Sequence, residues 1–454
     1  MFVPPTVSST ARNSHAGSGM AFASTMRDGD ARLRVGALVA SIAATAVMTI
    51  VGPRPRKVRP APPILASWRV GDPPLTATPV VVAPATSAIP SPEPDLRASI
   101  GRRAFFDPNL STPPGTSCAS CHDPEHGYAG VNGSTRGAAR GSRPGHFAKR
   151  ATPSVLYLRF VRRFRFHWDE EADYPEASGG FFWDGRADSI ASLIQQPLFN
   201  GDEMGNADAR TLAARLQAAP YAGDLRATFE HAFDTPERAM QVLGESLEAF
   251  LVSPAMAPFS SRFDDFVRGE GDLTPLENKG LALFKDHTKG ACSGCHTLDD
   301  GSHVPLRSLF TDYGYEALAV PRNRALPRGA TKAGDLGLCQ RPDHKWHSDD
   351  DRYCGSFRTP SLRNVALRPA FMHNGVFTSL RDVVAFYATR ATSPDTWYPG
   401  GGAYDDLPEK YWPYVNTSPA PYNRRRGETP ALDEGDVDAL VAFLETLTDR
   451  NIPR

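Results

Sequence analysis

The sequence contains two copies of one five-residue pattern, Cys-x-x-Cys-His, at residues 118–122 and 292–296. This pattern attaches haem c, because two thiols bond to the vinyl groups on one porphyrin edge while the adjacent histidine ligates the iron. A zinc site would need the two pairs brought together, and a dithiol redox site would not need a histidine in both copies. The sequence therefore predicts two covalent haem c groups, attached through Cys118, Cys121, Cys292 and Cys295 and ligated by His122 and His296.

The two motif histidines are 174 residues apart (296 minus 122), which leaves room for one domain around each haem. Residues 236–251 carry an apolar stripe at helical spacing, and Thr274-Pro275-Leu276-Glu277 is typical of a helix start. No long stretch alternates between polar and apolar residues. We expect a mainly α fold with long loops, in which residues 95–268 form the first haem domain and residues 269–454 form the second.

The first 94 residues differ in composition from the rest of the chain. Residues 35–52 carry no charge and follow three arginines, which is typical either of a signal peptide or of an N-terminal membrane anchor, so we assign residues 1–52 to that role. Residues 53–94 hold 12 of the 41 prolines and predict an extended linker. Both interpretations of the apolar segment export the haem domains, which favours a periplasmic protein, with an inner-membrane tether if the segment is not cleaved.

The remaining composition excludes one class of partner and suggests one cross-link. With 50 Lys and Arg against 51 Asp and Glu, the chain has a net charge of -1, so binding to nucleic acid through bulk charge is not expected. Cys339 and Cys354 lie 15 residues apart and predict a disulfide outside the cytoplasm. The alternatives are a Cys2His2 metal site, because His344 and His347 lie between the two cysteines, and two free thiols.

Several further segments resemble one family, the bacterial di-haem cytochrome c peroxidases and MauG. They are GRRAFFDPNLSTPPGTSCASCHDPEHGYAG at 101–130, FFWDGRADS at 181–189, GDEMGN at 201–206, GLALF at 280–284 before the second haem motif, and FRTPSLRNVALRPAFMHNGVFTSLRDVVAFY at 357–387. The resemblance extends from about residue 96 to residue 448. It implies two cytochrome c-like helical domains, with a peroxide-reactive haem in the first and an electron-transfer haem in the second.

The resemblance also assigns two catalytic residues. Trp183 matches the family's tryptophan between the two haems, where an indole relays electrons. Glu203 matches the acid of the peroxide pocket, which accepts a proton from bound peroxide and helps deliver it to the leaving oxygen. Pro197 matches another pocket position, whereas Leu193 stands where relatives often have glutamine.

The resemblance leaves the resting state of the first haem to be argued from one loop. Many di-haem peroxidases carry a second histidine that ligates this iron until reduction releases it, whereas MauG-like members lack it. Residues 131–153 offer only His146, and its spacing before Thr152-Pro153 does not match. We therefore expect a five-coordinate, accessible iron.

At the second haem, the resemblance implies a ligand from the helix that follows Ser379. Tyr387 falls on the ligand position, where MauG-like enzymes use tyrosine and many peroxidases use methionine. An anionic phenolate stabilises ferric iron more than a thioether does. Met372 is the competing candidate, and His373 matches a histidine near the junction of the haem domains.

Family members also bind calcium between the domains, so the resemblance raises the question of a Ca²⁺ site in this chain. The position of the asparagine ligand is Ala151 here, and the carbonyls of Arg368 and Ala370 would have to serve as the other ligands. The lost amide and the added cation both argue against Ca²⁺.

The predicted function is reduction of hydrogen peroxide to water, with electrons from a small c-type cytochrome or a cupredoxin. The first alternative is a MauG-like oxidase that withdraws electrons from residues of a partner protein, which Tyr387 and the missing loop histidine favour. The second alternative is a non-enzymatic di-haem electron shuttle, which Glu203 argues against.

Overall fold

The structure, a computed structural model, describes residues 95–168, 174–298, 307–326, 334–342, 351–400 and 404–453. The predicted signal or anchor segment at residues 35–52, the linker at residues 53–94, and His344 and His347 lie outside these ranges. Within these ranges, no helix is both long and apolar enough to cross a membrane.

Helices dominate the described part of the chain. The α-helices are α1 (Leu96–Phe105), α2 (Cys118–Cys121), α3 (Ile190–Phe199), α4 (Ala209–Ala218), α5 (Ala222–Thr228), α6 (Pro236–Leu251), α7 (Arg262–Arg268), α8 (Pro275–Lys285), α9 (Leu380–Thr389), α10 (Pro394–Trp397) and α11 (Glu434–Glu445). The strands are β1 (Arg165–His167), β2 (Glu176–Ser178), β3 (Tyr315–Ala317) and β4 (Ser356–Arg358).

The helix signals in the sequence are confirmed. Helix α6 has the predicted bounds, begins with Pro236 in its first turn and buries its apolar stripe. Helix α8 begins with the predicted capping box, in which Thr274 and Glu277 each bond the backbone N–H of the other. Helix α9 starts after Ser379, whose side chain accepts from the backbone N–H of Asp382.

The strands form two short hairpins that the sequence analysis did not predict. Strand β1 pairs antiparallel with β2, with Phe166 opposite Ala177, and β3 pairs antiparallel with β4, with Glu316 opposite Phe357. Each strand has three residues, which is too short for an alternating pattern to be recognised in a sequence. The mainly helical expectation is therefore correct for the described residues.

Two separate hydrophobic cores organise the fold. In the first core, α1 crosses α6 so closely that Gly101 lies against the backbone of Ser246, where a Cβ atom would come within 1.9 Å of a carbonyl oxygen. In the second core, α8 crosses α11 in the same way, and Gly280 lies against the backbone of Ala439. The first core consists mainly of residues 100–256 and the second of residues 263–447. The exact domain limits stay a prediction.

The two halves also repeat the same local structure after each haem motif. Thr152-Pro153-Ser154 and Thr359-Pro360-Ser361 are each followed by a residue in the left-handed region, Tyr157 with φ of 63° and Asn364 with φ of 61°. A 3-10 turn comes next in both halves, at Leu158–Phe160 and at Val365–Leu367. This repeat makes Val161 and Arg368, which end the two turns, equivalent in position.

A buried ion pair ties α7 to the second of these segments. Both guanidinium NH groups of Arg363 donate to the carboxylate of Asp264, at 2.7 and 3.0 Å, and its Nε donates to the carbonyl of Ser308 at 2.7 Å. Both side chains are 1% exposed. Burial by itself would raise the pKa of Asp264, but hydrogen bonds and charge from Arg363, together with Ser261, outweigh it and lower the pKa.

We predict that Asp264→Ala strongly destabilises the protein, because it leaves the Arg363 guanidinium buried without its carboxylate. The expected loss in the free energy of unfolding is about 3–5 kcal/mol, measured by denaturant unfolding of the haem-loaded protein. Glu434→Ala, which removes an exposed partner of Arg381, is the control and should leave the unfolding midpoint unchanged. Equal midpoints for the two variants would contradict the role given to the buried pair.

Candidate functional site

The first Cys-x-x-Cys-His motif lies on the short helix α2 and the turn after it. Ser117 and Ser120 form a capping box that fixes the start of the helix. Cys118 and Cys121, at the two ends of this turn, carry free thiols. Both sulfur-bearing residues and His122 line one cavity, which we call the first cavity. The second motif forms a 3-10 turn, and Cys292, Cys295 and His296 line a second cavity.

Each motif histidine is oriented by a backbone carbonyl. The Nδ1 atom of His122 lies 3.1 Å from the carbonyl oxygen of Tyr128, and the Nδ1 atom of His296 lies 2.9 Å from that of Phe310. A carbonyl only accepts, so each Nδ1 carries the proton and each Nε2 lone pair is available to a metal. Burial lowers the pKa of both histidines to about 4, so both imidazoles are neutral at pH 7.

These residues fit two haem c groups. Each cavity is lined by a pair of free thiols and one neutral imidazole whose ligating nitrogen is unprotonated. Cys118 and Cys121 with His122 would hold the first haem, and Cys292 and Cys295 with His296 would hold the second. Aromatic and aliphatic side chains from the two cores, including Phe105, Leu251, Phe284 and Leu444, complete the cavity walls.

Helices α3 and α9 occupy equivalent places at the two cavities. A β-bridge between residues six apart precedes each helix. Phe181 pairs with Ala187 before α3, and Phe371 pairs with Phe377 before α9. Each helix is then capped by a serine, Ser189 or Ser379. The eighth residue after the serine is Pro197 in α3 and Tyr387 in α9, and each lines the cavity of its own half. The same helix position therefore holds a potential ligand at the second cavity and no ligand at the first.

Glu203 reaches the first cavity from a tight turn after α3. The backbone of Glu203 donates to the carbonyl of Asn200 at 3.0 Å, and its own carbonyl accepts from Ser142 at 2.7 Å. The next residue, Met204, bonds back to Pro197 at 3.2 Å, so the turn is fixed to the end of α3. Leu193, Pro197 and Glu203 all line the first cavity.

Burial raises the pKa of Glu203, although the positive charge of Arg186 opposes the shift. The guanidinium of Arg186 is fixed by Asp184, at 2.9 Å, and by the amide oxygen of Gln196, at 2.7 Å, and lies 3.7 Å from the ring centroid of Phe182. The sequence analysis missed Arg186 and Gln196. The Trp-Asp-Gly-Arg run contained the signal, because Asp184 lies two residues before the arginine that it orients.

Trp183 lines both cavities, as do Asp335, Arg358, Asp406 and Leu407, so its indole lies in the wall between the two proposed haem sites. It is 7% exposed, and its Nε1–H donates to the carbonyl of Ala151 at 2.8 Å. Two reciprocal backbone bonds hold it at the junction of the halves. Arg358 donates to the carbonyl of Trp183, and Ala151 donates to the carbonyl of His373, each at 2.8 Å.

His373 is the counterpart of Trp183 in the second half. Both residues follow a residue with positive φ, Phe182 or Met372, by one position. The His373 ring stacks on Phe357 with centroids 3.5 Å apart, and burial lowers its pKa to about 4. It is therefore a buried, neutral side chain at the junction, near the position expected from the family resemblance.

Tyr387 and Met372 both line the second cavity, so the structure brings both predicted ligand candidates to the same site. A second tyrosine, Tyr422, lines it too and was missed by the sequence analysis. The Tyr387 and Tyr422 rings lie 5.8 Å apart, and the Arg390 guanidinium lies 4.0 Å from the Tyr422 ring centroid. Burial raises the pKa of Tyr387, which the charge of Arg390 partly offsets. Iron would have to displace the phenolic proton, as metal ions do at a coordinating thiol.

His146 lies on the wall of the first cavity, paired with an aspartate. Its Nδ1 atom lies 2.9 Å from the carboxylate of Asp202, and the side chain is 44% exposed. Asp202 immediately precedes Glu203, so the pair lies beside the proposed acid. To ligate iron in the first cavity, His146 would have to break this contact with Asp202.

The two remaining predicted features are the disulfide and the calcium site. Cys339 and Cys354 form a disulfide with Cα atoms 4.9 Å apart, packed in a small cluster with Tyr411. Calcium is not supported. The described residues contain no group of three or more acidic, histidine or cysteine side chains that could hold a metal ion, and the Ala370 carbonyl accepts from Arg368 instead.

Comparison with known proteins agrees with a di-haem enzyme fold. Residues 95–272 match the family model for di-haem cytochrome c peroxidase. The chain is 36% identical over 386 residues to the methylamine utilization protein MauG of Paracoccus denitrificans, covering 82% of this chain and 93% of that protein. The chain belongs to the di-haem cytochrome c peroxidase and MauG family.

Two further relatives represent the peroxidase side of this family. The crystal structure of the diheme peroxidase BthA from Burkholderia thailandensis is 47% identical, with a TM-score of 0.74 over 79% of this chain and 87% of that one. The cytochrome c551 peroxidase of Pseudomonas aeruginosa is 27% identical over 298 residues, covering 64% of this chain and 71% of that protein. Relatives named as MauG and relatives named as peroxidases therefore both resemble this chain.

We predict that Tyr387→Phe changes the spectrum of the second haem, because it removes the phenol oxygen that would ligate the iron in the second cavity. The measurement is absorption and electron paramagnetic resonance of the ferric protein. Tyr422→Phe is the matched control, since it removes the neighbouring hydroxyl from the same cavity. A change with Met372→Leu and none with Tyr387→Phe would transfer the ligand assignment to Met372.

Proposed function

We propose that this protein is a di-haem peroxidase that reduces hydrogen peroxide to water with electrons from a small external donor. The observation that carries the proposal is the difference between equivalent positions of α3 and α9. The Pro197 side chain could not ligate a haem iron in the first cavity, whereas the Tyr387 phenol could ligate one in the second. A first haem without this ligand, beside a carboxylate, and a second haem with it, across an indole, suit peroxide binding at one haem and electron transfer at the other.

Bound haem would supply the iron that binds peroxide and exchanges electrons, while the side chains handle protons and position. Glu203 in its carboxylate form accepts a proton from the nearer peroxide oxygen and delivers a proton to the departing one. Arg186 keeps this carboxylate available as a base by lowering its pKa against the effect of burial. Trp183 lies on the path by which electrons pass from the second cavity to the first. Two electrons and two protons convert one peroxide to two waters.

A second candidate function is oxidation of residues of a partner protein, as in MauG. The sequence identity of 36% to the Paracoccus protein and the tyrosine at the α9 position both favour it. A phenolate stabilises higher iron oxidation states than a thioether does. An electron shuttle without peroxide chemistry would not use a carboxyl group such as Glu203 in the first cavity, with the charge of Arg186 lowering its pKa against burial.

We place the protein in the periplasm, because covalent haem attachment occurs outside the cytoplasm and residues 35–52 have the composition of an export signal or anchor. A periplasmic cytochrome or cupredoxin is the electron donor in this proposal. The disulfide between Cys339 and Cys354 is consistent with an oxidising compartment.

We predict that the haem-loaded protein has a high-spin ferric haem, reacts with peroxide, and turns over when a reduced c-type cytochrome is supplied. The measurement is the absorption spectrum with peroxide, followed by the oxidation rate of the added cytochrome. A long-lived peroxide product without donor turnover would support the MauG-like function instead. Two low-spin haems that do not react with peroxide would exclude both enzyme functions.

We predict that Glu203→Gln slows the peroxide reaction by about 10²–10⁴-fold while both haems stay bound. In the unmodified protein, the rate should rise as pH increases through the raised pKa of Glu203, because only the carboxylate accepts a proton. This rise should be absent in Glu203→Gln. Arg186→Gln is the matched variant, and since it removes the charge that lowers the Glu203 pKa, it should move the rise to higher pH. A normal rate in Glu203→Gln would remove the acid assignment.

A further inference from the structure

Arg368 is a charged side chain at the junction of the halves that the proposed peroxidase function does not account for. It forms no ion pair with any residue that the structure describes. Its Nε donates to the carbonyl of Ala370 at 3.3 Å, and one NH group donates to the carbonyl of Thr152 at 3.2 Å. At the same junction, Arg150 pairs with the carboxylates of Asp184 and Asp335. Arg368 is therefore a cation held by neutral oxygens.

This cation lies beside the indole that separates the two cavities. The guanidinium carbon of Arg368 is 5.9 Å from the centroid of the Trp183 ring, within the range of a cation–π contact. Burial lowers the pKa of Arg368 to about 10, which still leaves the group charged at pH 7. Arg368 lines the second cavity, and its acceptor Thr152 lines the first. The positive potential of Arg368 therefore reaches both Trp183 and the first cavity.

Of the two equivalent 3-10 turns, only the one in the second half ends with a charged residue. Arg368 ends the 3-10 turn of the second half, and Val161 ends the equivalent turn of the first half with nearly the same backbone conformation, φ of -73° in both. A neutral side chain is thus compatible with this backbone. Because the local backbone does not require an arginine here, the role of Arg368 depends on the groups that its side chain contacts.

We propose that Arg368 is a positioning residue for electron transfer, whose fixed charge opposes loss of an electron from Trp183, so that the indole passes electrons between the cavities without accumulating as a radical. A nearby positive charge destabilises an indole radical cation by Coulomb repulsion. At 5.9 Å and an effective dielectric constant of about 20, the radical population falls roughly 100-fold.

The hydrogen bond of Trp183 acts in the same direction. Its Nε1–H donates to the carbonyl of Ala151, which is not a base that takes the proton, so an oxidised indole could not relax to a neutral radical. In each transfer, Trp183 loses one electron towards the first cavity and regains one from the second, and its N–H bond stays intact. The oxidant is hydrogen peroxide and the reductant is the external donor, so this inference rests on the proposed function.

The test is the yield of tryptophan radical after peroxide is added to the haem-loaded protein without donor, measured by freeze-quench electron paramagnetic resonance. Arg368→Gln should raise the radical signal, up to roughly 100-fold in population, because it removes the charge and keeps hydrogen-bonding groups. Arg368→Lys keeps a charge and should stay close to the unmodified protein. Combining Arg368→Gln with Trp183→Phe should abolish the added signal, which identifies its source. Arg368→Val, the residue type of the equivalent turn, is the second neutral variant.

Each other outcome overturns the inference. No rise in either neutral variant, or an equal rise in Arg368→Lys, would show that charge is not the cause. Failure of both neutral variants to fold and bind two haems would make Arg368 a structural clasp between Thr152 and Ala370. A shift in the midpoint potential of the second haem with an unchanged radical yield would show that the guanidinium acts on that haem. If the unmodified protein shows no spectral change with peroxide, the proposed function itself fails, which is a different result.

Discussion

The arrangement of the proposed site depends on one reciprocal exchange of backbone hydrogen bonds between the two halves. Ala151 donates to the carbonyl of His373, and Arg358 donates to the carbonyl of Trp183, each at 2.8 Å. Each donor lies immediately before the Thr-Pro-Ser run of its own half, and each acceptor lies in the turn before α9 or α3. Because buried backbone groups are costly to leave unpaired, these two bonds fix both turns against each other. Trp183 can therefore line both cavities only while the halves stay in register.

The repeated frame explains how similar local structures acquire different chemistry. Both halves use the same serine-capped helix beside the cavity, and the eighth residue after the serine decides whether iron would gain another ligand. The Pro197 side chain offers no donor atom, and Pro197 lies in the last turn of α3, which ends at Phe199. Tyr387 offers a phenol on a helix that continues for two more residues, to Thr389. A proposed division of labour between two haems thus follows from single side chains on one shared scaffold.

Much of this structure could be predicted from the sequence, for reasons that differ from one residue to another. The haem motifs and the caps at Thr274 and Ser379 are local signals, since bonding partners lie within three or four residues. The correspondence between the halves was not recognised, because only a few residues are identical and the segments between them differ in length. The positions of the Arg368 guanidinium and of Tyr422 were missed, since their partners Thr152, Trp183 and Tyr387 are distant in sequence. Such contacts arise only when the two cores pack together.

The distribution of charge at the junction completes the argument about function. Arg150 and Arg186 share Asp184, and Arg150 also pairs with Asp335, so two guanidinium groups face two carboxylates beside Trp183. Arg368 has only carbonyl partners on the side of the second cavity among the residues that the structure describes. Trp183 therefore lies between a network of ion pairs and a guanidinium that the described residues hold through carbonyl oxygens. The role that we propose for Arg368 depends on this difference, since a cation without a protein carboxylate beside it acts more strongly on the neighbouring indole.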